Sequence, residues 1–216
     1  DTRAVDGQIA LRAAPEPACP NARDDGRGQR GSHRERTLAD PPFSMSEPQI
    51  GRALASGLHQ AITELMPTRV EFYESWITPK RIREGQLGRA RVTAVISFLR
   101  EEGAAYDAVM FQAGRYTTDW TLDTLSGPRR AMLNQLPRPL RVRGVLGLAD
   151  RVVRRLHDEV RLEYRVRRGV AVVSVEDSLF CQVREPTELP MCRFYGAVIE
   201  RCLEVFGLEG AAESSK

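Results

Sequence analysis

The chain has 216 residues, 42% of them hydrophobic and 28% charged, with a formal net charge of +3. Such a length fits one domain with a core of adequate size and an additional tail. No apolar run approaches the roughly 18 residues of a membrane helix and no signal-peptide pattern opens the chain, so a cytoplasmic protein without a transmembrane segment is expected.

The mild basicity does not call for nucleic acid. Only Lys80 and Lys216 are lysines, a skew that GC-rich coding explains more simply than phosphate recognition, so no nucleic-acid partner is expected. The four cysteines, Cys19, Cys181, Cys192 and Cys202, are too unevenly spread for a disulfide framework.

Residues 1–44 lack apolar periodicity and are dense in glycine and charge around Asp24–Arg36. They are expected to be a disordered or non-native extension, with an ordinary start at Met45. From 45 to 210 the patterns describe a single domain, and 211–216 reads as a disordered tail. Ser46-Glu47-Pro48-Gln49 has the form of a helix cap, followed by Ile50, Leu54, Leu58, Ile62 and Leu65 at helical spacing until Met66-Pro67. Thr78-Pro79 opens a short helix before Gly85. Val92, Val95, Ile96 and Leu99 mark a third, closed by Gly103.

Tyr106 to Leu125 reads as a fourth helix, stopped by Ser126-Gly127-Pro128. Pro137 and Pro139 then separate a short helix around Met132 and Leu133 from a longer one over Leu140–Leu156. The period next changes to two. Val160, Leu162, Tyr164 and Val166 alternate with charged residues, Arg168-Gly169 turns, and Val170–Val175 returns as a more buried strand. A last helix runs from about Pro190 to Phe206, with Gly207 as its stop. Helices followed by an antiparallel β-hairpin and a covering C-terminal helix make an α+β domain.

The chain lacks a G-x-G-x-x-G fingerprint, a phosphate loop, an H-E-x-x-H helix and a G-x-S-x-G elbow. No cofactor and no catalytic residue can therefore be named. Cys192 and Cys202, ten residues apart on one expected helix, stand about 15 Å apart along it and roughly 80° around it. They cannot share a metal, and Cys202 reads as a small buried apolar residue. Cys181 and Cys192 bracket a polar loop that can bring them together; with His157 or Glu188 they could hold zinc. Two strong ligands at non-standard spacing are a weak signal, so no metal is assigned and structural or ligand-facing thiols are the favoured reading. His157, at its helix end, suits a capping role.

Phe194 and Tyr195 either anchor the last helix on the sheet or line a cavity for a flat apolar ligand. Tyr116 and Trp120 share a helix face, as a core stripe or as part of the same lining. Arg115 and Asp119 form an i, i+4 pair. An arginine in this setting is also a candidate partner for a ligand carboxylate.

The C-terminal pattern carries a resemblance. Asp177-Ser178-Leu179-Phe180-Cys181, a polar loop, then Leu189-Pro190-Met191-Cys192-Arg193-Phe194-Tyr195-Gly196 resembles the close of the 4-vinyl reductase domain family. Ala113-Gly114-Arg115-Tyr116-Thr117-Thr118-Asp119-Trp120 is similar to that family's Ala-Gly-containing helix. The likeness spans roughly Gln49 to Leu208. It implies a ligand-binding α+β fold shared with Golgi-transport adaptor subunits and with bacterial sensors of aromatic effectors.

The function it implies is bacteriochlorophyll biosynthesis, acting on the vinyl group of a (divinyl) chlorophyllide precursor as reductase or as pigment-binding carrier for one. The alternative is a small-molecule sensor or adaptor domain for an aromatic or lipid ligand. The expected partners are a tetrapyrrole pigment precursor and another pigment-synthesis enzyme, with room for a homodimer. Cys181, Cys192, Phe194, Tyr195, Tyr116, Trp120 and Arg115 are the expected ligand-binding residues.

Overall fold

A computed structural model describes residues 9–13, 50–85, 87–157, 160–167, 170–176, 178–180 and 193–213. Among these, helices dominate: α1 Arg52–Leu65, a 3-10 turn Pro67–Arg69, α2 Val70–Glu74, α3 Pro79–Glu84, α4 Arg89–Glu101, α5 Ala104–Asp123, α6 Gly127–Gln135, α7 Arg138–Arg154 and α8 Arg193–Val205. The strands are β1 Ile9–Ala13, β2 Arg161–Arg167, β3 Val170–Glu176 and β4 Gly210–Glu213. The hairpin β2–β3 is antiparallel, from Arg161 opposite Glu176 to Arg167 opposite Val170. The α+β class and the closing helix agree with the sequence pattern.

Local chemistry sets most boundaries. The Thr78 hydroxyl accepts from the Arg81 backbone N–H at 3.3 Å, Pro79 begins α3, and Gly85 ends it at φ 69°, where only a glycine is unstrained. Leu54, Leu58 and Ile62 form the buried stripe of α1, and Val92, Val95, Ile96 and Leu99 that of α4.

Two boundaries differ from expectation. Helix α1 begins at Arg52 behind Gly51, while Ile50 precedes it. Tertiary hydrogen bonds decide this: the Ile50 N–H donates to the Leu87 carbonyl at 3.0 Å, and the Gly51 N–H to that of Leu156 at 2.8 Å. The expected cap over residues 46–49 lies outside the described residues. Helix α2, only five residues long, is too short to carry a periodic signal.

The sheet also exceeds the hairpin. Its order is β2-β3-β1-β4, with β1 parallel to β3 (Leu11 opposite Ala171) and β4 parallel to β1 (Ile9 opposite Gly210). Strand β1 falls within the segment expected to lack structure, and β4 enters the expected tail. Strands of five and four residues show too little alternation to be read locally; the open edge of β3 receives β1, and β1 in turn receives β4.

The core lies between one face of the sheet and the helices. Leu162, Ala171 and Val173 point inward to it, with α7 against β2 and α8 against β4. Helix α5 is held between α1 and α8. Each crossing has a glycine. A Cβ on Gly57 would collide with the Thr117 hydroxyl, and one on Gly114 would stand 2.6 Å from the Phe194 carbonyl oxygen and 2.9 Å from Ala197 Cβ. The buried face of α5 therefore carries Ala113, Gly114, Thr117 and Thr118. The threonines satisfy their hydroxyls on backbone carbonyls: Thr117 on Ala53 at 3.2 Å, Thr118 on Gly114 at 2.8 Å.

Candidate functional site

The expected binding residues separate into two places. Phe194 and Tyr195 are 0% and 3% exposed. Phe180 lies against both, its ring centroid 5.1 Å from that of Phe194 and 5.2 Å from that of Tyr195, the latter edge-on. The three rings fill one another's contact surface, so Phe194 and Tyr195 anchor α8 in the core and do not line a cavity. Among the described residues the start of α8 is also pressed against Gly114, which agrees with the anchoring reading of these two rings.

Cys181 and Cys192 lie outside the described residues, as does Glu188. Their chain neighbours do not: Phe180 and Phe194 meet. The Phe180 carbonyl accepts from Arg100 Nη2 at 2.6 Å, and the Nε and Nη1 of that arginine are buried without a hydrogen-bond partner among the described residues. Sequence reasoning missed Arg100, which sits as an ordinary charged residue near the end of α4.

Tyr116 and Trp120 occupy the opposite situation. They lie on the outer face of α5, and Trp120 is 39% exposed. Their rings are stacked, with centroids 5.7 Å apart and an interplanar angle of 14°. The core-stripe reading of this pair is overturned, because the buried face of α5 runs through Val109, Met110, Ala113, Gly114, Thr117, Thr118 and Leu122, and neither ring lies on it. Tyr116 donates its hydroxyl hydrogen to Glu64 of α1. That hydrogen bond is the main reason the Tyr116 hydroxyl is shifted above its ordinary pKa and the Glu64 carboxyl below its own.

The other edge of this platform is charged. Arg115 Nη1 donates to Glu204 at 2.9 Å and Arg201 Nε to Asp119 at 2.7 Å. The expected Arg115–Asp119 pair along the helix is thus replaced by two pairs across to α8. The Arg115 hydrogen bond is the leading cause that holds the Glu204 carboxyl below its ordinary value. Arg193 lies over the Phe111 ring at 4.3 Å from its centroid, extending the mixed aromatic and charged surface along α5.

No protein-family model, no curated protein and no solved structure matches the chain.

Two further points bear on chemistry. Cys202 is fully buried, which pushes its thiol up to about 12 and leaves it a poor nucleophile at neutral pH. No group of three or more His, Cys, Asp and Glu side chains is gathered for a metal, and no helix is long and apolar enough to cross a membrane, among the described residues. A cleft of about 300 Å³ opens where three helix ends meet, lined by Ile50, Gly51, Arg52, Glu84, Gly85, Arg155, Leu156 and His157. The sequence placed His157 at a helix end and gave no sign of this convergence, which depends on Gly51 docking against Arg155 and Leu156.

Proposed function

We propose that the chain is a ligand-binding domain of the 4-vinyl reductase type, related in fold to Golgi-transport adaptor subunits. It acts in bacteriochlorophyll biosynthesis on a (divinyl) chlorophyllide precursor, as a vinyl reductase or as the carrier that presents the pigment to one. The observation that carries this reading is the Tyr116–Trp120 platform: two parallel rings facing solvent, on the helix that contributes to the family resemblance. A tetrapyrrole is a large planar π-system, and an exposed stacked pair offers it a face of matching shape. Binding is taken as this chain's own contribution, because the platform supplies contact area and an aromatic face.

The test is a titration of the purified chain with chlorophyllide, followed by pigment absorbance and tryptophan emission. The expected result is a saturable spectral shift at micromolar concentration with quenching that survives Trp76→Phe and is lost in Trp120→Phe. No spectral shift at these concentrations overturns the reading.

A further inference from the structure

The cleft at the meeting of α1, α3 and α7 has a chemistry that the pigment reading leaves unused. We propose that it binds a small oxyanion, the carboxylate or phosphate group of a compact solute. Its volume, about 300 Å³, is at the lower end of small-molecule sites. Arg52 and Arg155 come to it from different helices, with His157, 2% exposed, in the wall between.

The balance of charge favours an anion. Glu84 is, among the described residues, the one carboxylate of the lining, and it faces Lys80 Nζ at 4.0 Å. Among the described residues no carboxylate lies within ion-pair distance of Arg52, and Arg155 Nη1 is held on the Thr124 hydroxyl at 3.3 Å. The cleft receives the start of α1 together with the ends of α3 and α7, so the helix dipoles oppose one another and the arginine side chains carry the preference. An oxyanion entering the cleft would take charge-assisted hydrogen bonds from the arginines at its rim.

The walls are set before any ligand arrives. The Gly51 N–H is bonded to Leu156, a Cβ on Gly51 would collide with the Arg155 carbonyl oxygen, and Gly85 holds the turn beside the Arg52 guanidinium. Preformed walls limit the ordering cost of binding.

The experiment is a pair of titrations of the full chain followed by the backbone amide NMR signals of Arg52, Ala53 and Gly85. One uses inorganic phosphate and the other succinate, with chloride holding ionic strength constant. Saturable shifts at these amides are expected for at least one anion; which one saturates assigns phosphate or carboxylate. Arg52→Gln and, separately, Arg155→Gln should weaken binding about tenfold, in keeping with the loss of a charge-assisted hydrogen bond. Arg165→Gln, on an exposed position of β2, should leave it unchanged. Far-UV circular dichroism checks that each variant folds. Shifts that fail to saturate for both anions overturn the proposal, as does equal binding by the wild type and both cleft variants.

Discussion

Two aromatic groups flank the same helix pair and have opposite fates. Phe180, Phe194 and Tyr195 are sealed in the core, whereas Tyr116 and Trp120 are turned to solvent. Residue type does not separate them; the distance between backbones does. Where α5 meets α8, Gly114 lets the chains approach so closely that the α5 side of the crossing admits only small residues. The aromatic bulk there is supplied by α8 and by Phe180 beyond β3, while Tyr116 and Trp120 of α5 take the outer surface. A structural role follows for the first group, and the second is the one left available at the surface.

The strongest way to break this contrast is to remove a ring from the sealed group. Phe194→Ala should cost about 3–5 kcal/mol in urea denaturation, as for other buried aromatics. A loss below about 1 kcal/mol would mean that the three rings do not form the core described. Next in size is Gly114→Ala. The added methyl has the Phe194 backbone on one side and Ala197 on the other, neither of which can swing away, so about 1–3 kcal/mol should be lost. If Gly114→Ala instead stabilises the chain through its helix propensity, α5 and α8 are farther apart than described. Trp120→Ala should change stability by less than about 1 kcal/mol, since the ring gives up mainly its stack on Tyr116. The same substitution should weaken chlorophyllide binding about tenfold or more in the absorbance titration. Equal losses of stability and binding would merge the two groups into one structural role.

Much of the fold was legible because its helices have long apolar stripes and clear stops. The stripe of α4, the alternation of β2 and the glycine after α3 all act locally, and sequence displays local rules. The orientation of Tyr116 and Trp120 was not legible, because the stretch of the buried face of α5 beside them is made of Ala113, Gly114, Thr117 and Thr118. Such a face looks less apolar than the exposed one until the neighbouring helices are placed. The cleft was invisible for a related reason: Arg52, Glu84, Arg155 and His157 are far apart in the chain, and helix ends bring them together. β1 and β4 needed each other and β3 to exist as strands.

The smallest effect concerns the two edges of the platform, whose carboxyls are both held low but by different partners. Arg115 is the main cause at Glu204, and the Tyr116 hydroxyl at Glu64. A carboxyl whose pKa is lowered on folding adds stability above its unfolded value, and this contribution fades as pH falls through the folded value. Both groups are solvent-exposed, so screening keeps their share of the acid-side loss of stability small. The titrations themselves can be resolved by NMR of the side-chain carboxyl carbons. Arg115→Gln should raise the Glu204 pKa towards its ordinary range and leave Glu64 where it is; Tyr116→Phe should do the reverse. Movement of both carboxyls in either variant would show that the edges are one coupled network, and the platform would then respond to acid as a unit.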